Sequence, residues 1–170
     1  MILRLAAAIA AVLGLAGCGL TEDQDDVPAV SMSRAEVVAI LNANMRALDP
    51  EWRDSDPAKL SPGRLARHGC WTNPNTMMPD GPPWSYRIGP LTYGGSPEKI
   101  TRILRGVDTL GQRGFSPIDP IGMPSRGRGD RYVRDARKFT VGVSFEGSDR
   151  VSVSASSPCV RHPNPADDER

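Results

Sequence analysis

The residues of this chain best suited to chemistry are three cysteines and two histidines. His68-Gly69-Cys70 and Cys159-Val160-Arg161-His162 set an imidazole close to each of two thiols, and together the four side chains could form a tetrahedral Cys₂His₂ zinc site. One observation weakens that reading: His-x-Cys is tighter than the two-to-four-residue gap usual between zinc ligands. Other catalytic constellations are missing. The sequence has no Gly-x-Ser-x-Gly elbow, no glycine loop followed by Lys-Ser or Lys-Thr, and no His-Glu-x-x-His. Its 20 acidic side chains could still supply a glycosidase-like pair from distant positions, which leaves no local signature. No catalytic residue is assigned, no cofactor is expected, and a non-enzymatic role is the expectation.

The third cysteine, Cys18, closes the apolar run that opens the chain. Arg4 supplies a positive start, and Leu5 to Leu15 form an apolar core short of the roughly 20 residues that span a bilayer. Residues 1–17 therefore read as a cleavable export signal. Leu15-Ala16-Gly17-Cys18 resembles the lipobox of the bacterial lipoprotein family, a likeness confined to the export segment. It implies a diacylglycerol thioether on Cys18, cleavage before Cys18 and often acylation of the new amino group. Two or more acyl chains hold a protein stably, since each buried CH₂ contributes roughly 0.8 kcal/mol. With Cys18 committed to lipid, Cys70 and Cys159 remain as an even pair in an exported, oxidising compartment, where a disulfide is the default. Such a bridge would close a loop of about 90 residues, removing about 4.6 kcal/mol of unfolded-chain entropy. The two histidines would then be exposed neighbours of the bridge.

Removing 17 of the 170 residues leaves 153, enough for one ordinary domain with a core. Arg4 is the only charge removed, so 20 basic side chains face 20 acidic ones, a balance that gives no reason to expect nucleic acid. Lysine occurs only at Lys59, Lys99 and Lys138, and the arginine bias suggests a GC-rich, actinobacterial genome. The acidic run Thr21-Glu22-Asp23-Gln24-Asp25-Asp26 falls in residues 18–32, which read as a lipidated tether. The domain is then 33–162, and 163–170 is a tail.

Within it, Ser33 and Glu36 form a capping box ahead of Val37, Ile40, Leu41, Met45 and Leu48, a helical stripe ended by Asp49-Pro50. Ser61-Pro62 starts a short turn through Leu65, and the Pro, Asn and Gly between Asn73 and Pro83 predict a surface loop. Trp84 to Ile88 alternates as a strand, which Leu91 and Tyr93 extend. Ser96-Pro97-Glu98 then caps a helix whose face is Ile100, Ile103, Leu104, Val107 and Leu110. After a long loop from Ser116 to Arg137, Phe139 to Phe145 and Val151 to Ala155 read as a hairpin.

The expected fold class is α+β: two amphipathic helices on one face of a small, mostly antiparallel three-stranded sheet, with one disulfide. Val151 to Ala155 is central in that sheet, which brings the two cysteines together. The layout resembles that of small actinobacterial, mycobacterial-type envelope lipoproteins, the LppA-like group, and that resemblance implies an envelope protein without assigned chemistry. Arg126, Arg128, Arg131 and Arg134, with Arg137 and Lys138, make the long loop a basic patch for anionic headgroups or wall polymers, against the plainer reading of a solvated loop guarding a sheet edge. Arg128-Gly129-Asp130 carries no weight as an adhesion tripeptide. Met77-Met78, Trp71, Trp84 and Tyr86 suit core packing and loop anchoring better than a ligand groove. The expected protein is lipid-anchored on the extracytoplasmic face of the membrane and binds or assists another envelope component. A small-ligand or lipid carrier and a wall-acting enzyme are the alternatives.

Overall fold

A computed structural model describes residues 27–61, 64–94, 96–119, 129–147 and 149–168. The export signal, Cys18, Arg126 and Arg128 lie outside the described residues. The chain enters through β1 (Val30–Ser31) and passes directly into α1 (Arg34–Leu48). The capping box forms as the spacing requires: the Glu36 N–H donates to Ser33 Oγ at 3.2 Å and the Ser33 N–H donates to Glu36 Oε2 at 2.8 Å. Val37, Leu41, Met45 and Leu48 on the inner stripe are fully buried. Past the helix, Asn42 holds the returning chain. Its Nδ2 donates to the Ser55 carbonyl at 3.0 Å, and its Oδ1 accepts from the Ser55 N–H at 2.9 Å and from Trp52 Nε1 at 3.1 Å.

β2 (Leu65–Thr72) and β3 (Pro79–Gly94) form a long hairpin, followed by α2 (Pro97–Gln112) under a Ser96 cap. The helices cross at Gly106. A Cβ there would lie 2.5 Å from the Ala47 carbonyl oxygen and 2.6 Å from Leu48 Cα, so a side chain is excluded by backbone. Gly106→Ala should cost about 1–3 kcal/mol despite its better helix propensity, because the helices must separate. Denaturant unfolding measures this, and a stabilised variant would show that the crossing tolerates a methyl group.

β4 (Ser116–Pro117), β5 (Arg131–Arg134), β6 (Thr140–Phe145), β7 (Arg150–Ser156) and β8 (Val160–Arg161) complete a mixed sheet of order β1-β8-β3-β7-β6-β5-β4, with β2 on the other side of β3. The fold is α+β with two helices, but the three-stranded sheet expected from the sequence is corrected to eight strands. Alternation located segments of β3, β6 and β7. It missed the others for two reasons. Residues 79–83 look like a loop because of their prolines, yet β2 and β3 shift register between Gly69 and Trp71, where Pro82 and Pro83 face the bulge rather than a ladder. A second shift between Ile88 and Leu91 takes Pro90. β1, β4, β5 and β8 have two to four residues each, too short for a period, and exist only through partners distant in sequence. Thus the short turn expected from Ser61 through Leu65 gives way at Leu65 to a strand, Leu65–Thr72, and the loop expected over residues 116–137 contains β4 and β5. Val30–Ser31 lies inside the stretch assigned to the tether, and a 3-10 turn at Pro165–Asp167 lies inside the assigned tail.

Candidate functional site

Two regions hold the residues singled out by chemistry. The first surrounds the cysteines. Cys70 sits in the β2 bulge and Cys159 between β7 and β8, on opposite flanks of β3, and they are joined in a disulfide with a Cα–Cα distance of 6.0 Å. The bridge therefore ties three adjacent strands. Trp84 pairs with Gly69 on one side and Val160 on the other, and Val160 pairs in turn with Val30 of β1.

His68 is exposed, but His162 is only 8 % exposed and lies in the core. Its Nδ1 is 2.7 Å from the Met32 carbonyl and its Nε2 is 2.7 Å from the hydroxyl of fully buried Tyr86. A carbonyl only accepts, so Nδ1 carries a proton and donates to Met32, while Nε2 and the Tyr86 hydroxyl share the second hydrogen bond. The expectation that both histidines are exposed neighbours of the bridge is thus corrected for His162. With both thiols bonded and both His162 nitrogens engaged, the four-residue zinc arrangement does not form. Among the described residues no three His, Cys, Asp or Glu side chains are grouped as metal ligands. A helical or sheet period carries no sign of this Tyr–His pair, since the two residues are 76 positions apart.

Arg67 supports the same corner. Its guanidinium carbon lies 4.1 Å from the Trp84 ring centroid, and Nη1 donates to the Asp168 carbonyl at 3.1 Å. Burial pushes the Tyr86 phenol above its ordinary pKa, against the pull of Arg34 and Arg67, and burial likewise raises Tyr93. The unfolded chain releases these protons near pH 10, where the folded chain still holds them. Stability should therefore be intact below about pH 10 and fall as pH rises from there through the raised folded values. Tyr86→Phe should flatten that alkaline slope in a urea-midpoint series, and an unchanged slope would remove Tyr86 from the account.

The second region is a groove between the last turns of α2 and the β4–β5 corner, about 620 Å³ in volume. The positive φ of Gly114 (87°) turns the chain out of α2, and the Phe115 N–H donates to the Leu110 carbonyl at 3.2 Å, which sets Phe115 beneath the helix. The chain then runs beside β5, where the Ile118 N–H donates to the Tyr132 carbonyl at 2.9 Å. Val107, Phe115, Ile118 and Val133 supply apolar surface, and Asp108, Asp119, Asp130 and Arg131 supply charge. Arg131 Nη1 pairs with Asp108 at 3.1 Å, and Asp130 Oδ1 accepts the Phe145 N–H at 2.8 Å.

These contacts bear on the basic patch. Arg131 faces an acid-rich groove, whereas Arg134 lines a separate hollow with Asp135 and Lys138, and its Nε donates to Thr140 Oγ1 at 3.0 Å. The structure does not bring Arg131 and Arg134 to one basic surface. Met77 and Met78 line neither groove and sit at the tip of the β2–β3 hairpin, and Trp84 and Tyr86 are half-buried and buried respectively in β3. The groove was not legible in sequence because its walls come from α2, β4 and β5, brought together by pairing alone. Comparisons with known protein families, curated proteins and solved structures find no match for this chain.

Proposed function

We propose that this chain is a lipid-anchored lipoprotein of the bacterial envelope, held at the extracytoplasmic face through Cys18, with a folded domain that is a non-enzymatic binding module. The groove between α2 and β4–β5 carries the binding reading. Its volume of about 620 Å³ falls in the range of roughly 300–1,000 Å³ typical of ligand sites, and it combines apolar surface with a few charged groups. Its acids have structural tasks: Asp130 fixes a strand N–H and Asp108 pairs with Arg131, an arrangement that suits recognition better than proton transfer. An open groove also suits a segment of another envelope component better than a stored lipid. Anchoring rests on the lipobox-like Leu15-Ala16-Gly17-Cys18. Among the described residues no helix is long and apolar enough to cross a membrane.

Gly111 gives a direct test. It is exposed on the groove wall, and a Cβ there meets nothing within 4 Å, so Gly111→Trp fills the groove without entering the core. The component that co-purifies stoichiometrically with the detergent-extracted chain should fall at least about tenfold with Gly111→Trp and persist with Thr101→Trp, on exposed surface elsewhere on α2. Identical recovery with both variants would sink the groove as the binding surface. Cys18→Ala should in parallel leave an uncleaved precursor or release the chain from membranes.

A further inference from the structure

Cross-strand register sets one row of residues across the sheet: Ala66 beside Arg87, Arg87 beside Ser156, Ser156 beside Thr140, Thr140 beside Arg134, and Arg134 beside Ser116. One residue along, the row Leu65, Ile88, Ala155, Val141 and Val133 is buried in the core that both helices share. Successive side chains of a strand point to opposite faces, so the first row faces away from the helices. Each of its residues is at least partly exposed. It holds no carboxylate, and its two arginines come from strands three spacings apart, roughly 14 Å between Cα atoms.

Arg134 Nε donates to Thr140 Oγ1 at 3.0 Å, which leans its side chain along the row toward Arg87. The guanidinium of half-buried Arg87 has no ion pair or hydrogen bond among the described residues. Lys138, which lines one hollow with Arg134 and Ser116, adds a third cation at the end of the row. The neighbouring acid is already engaged: Asp135 Oδ1 accepts the Phe139 N–H at 2.8 Å and Oδ2 accepts from Arg137 Nε at 3.3 Å. Glu146, past the opposite end of β6, accepts from Thr92 Oγ1 at 3.2 Å. In the next row the Tyr132 ring lies over Gly142, where a Cβ would meet it at 2.6 Å, so the arginines border a flat, uncharged surface.

We infer that the Arg87–Arg134 row is a second binding surface, and that its occupant is an anionic polymer whose phosphodiester groups are held by the two guanidiniums. Charge complementarity carries the choice of an anion, and the planar fork of each arginine matches two phosphate oxygens at once. Spacing carries the choice of a chain. Two arginines roughly 14 Å apart hold two phosphates of one polymer, the second bound at the effective concentration that the first creates. The Thr140 and Ser156 hydroxyls between them suit the polyol or sugar that links the phosphates. A bilayer is a poorer occupant, because Leu60, Met77 and Met78 are the large apolar side chains exposed among the described residues and none belongs to this row. The row lies on the face away from the helices, whereas α2 forms a wall of the groove, so the two surfaces bind independently.

The test uses the full chain in detergent and a synthetic oligo(glycerol phosphate), with affinity read by calorimetry. The oligomer should bind at least about tenfold more tightly per phosphate than inorganic phosphate or glycerophosphoglycerol, the free form of a lipid headgroup. Arg87→Gln with Arg134→Gln should weaken it at least about tenfold and flatten its salt dependence. Arg53→Gln with Arg105→Gln removes the same charge from exposed positions outside the row and should leave affinity within about twofold. Arg87→Lys with Arg134→Lys keeps the charge but loses the fork, and should still weaken binding at least about threefold. Arg134→Gln alone, at an exposed position, should keep the melting temperature and lose at least about threefold in affinity. Affinity that ignores the glutamine substitutions, or that falls equally with the pair outside the row, overturns the site. Equal binding per phosphate by glycerophosphoglycerol would reassign the row to single headgroups and overturn the polymer. Equal binding of an oligogalacturonate of the same length would overturn the phosphodiester.

Discussion

Replacing both Cys70 and Cys159 by serine should remove about 2–5 kcal/mol of stability and lower the melting temperature by several degrees. The 89-residue separation sets the upper end of that range, because the bridge restrains a loop that includes β3, α2, β6 and β7. Position sharpens the effect, since Cys70 in β2 and Cys159 between β7 and β8 lie on either flank of β3, and their bond holds the bulge that accommodates Pro82 and Pro83. Thermal unfolding of the oxidised chain, the reduced chain and the double variant should place the last two together. A double variant as stable as the oxidised chain would mean that the ladders alone hold these three strands. Intact mass should show two hydrogens fewer than in the fully reduced chain, with no zinc retained.

His162→Ala should be nearly as damaging, at about 2–4 kcal/mol. The substitution takes the ring from the Met32 carbonyl and removes one of the partners of the Tyr86 hydroxyl, which Arg67 also contacts; a buried group left unpaired costs about 1–3 kcal/mol, and the lost ring adds a cavity. Because Met32 follows β1 directly, the variant should also loosen the entry strand, read as faster proteolysis near Val30. Tyr86→Phe removes one of the two bonds and should cost less. A double-mutant cycle between the two positions should return a coupling of about 0.5–3 kcal/mol, and additive costs would show that the pair contributes no shared energy. The Val30 N–H donates to the Cys159 carbonyl at 2.9 Å, so β1, the disulfide and His162 form one anchorage.

Local rules were enough for the parts of this fold whose energy is local. The Ser33–Glu36 box, the Ser96-Pro97 start and the apolar stripes determined α1 and α2, since a helix satisfies its backbone within one segment. Alternation from Thr140 to Phe145 and from Val151 to Ala155 determined the β6–β7 hairpin for a similar reason: a tight turn brings its partner beside it. The cysteine count, with Cys18 expected to take a lipid, left Cys70 and Cys159 as the natural pair, and these two form the disulfide. Only tertiary structure decided the rest. β1, β4, β5 and β8 carry too few residues to show a period, and prolines disguised the start of β3 until its bulge gave them a place without a ladder bond. His162 could not be placed in sequence, because its position beside Cys159 suggested exposure while its actual surroundings come from β3 and the residue after β1. The groove belongs to the same category. Its walls are α2, β4 and β5, its acids are distributed among ion pairs and strand caps, and its form depends on long-range pairings that no stretch of residues encodes alone.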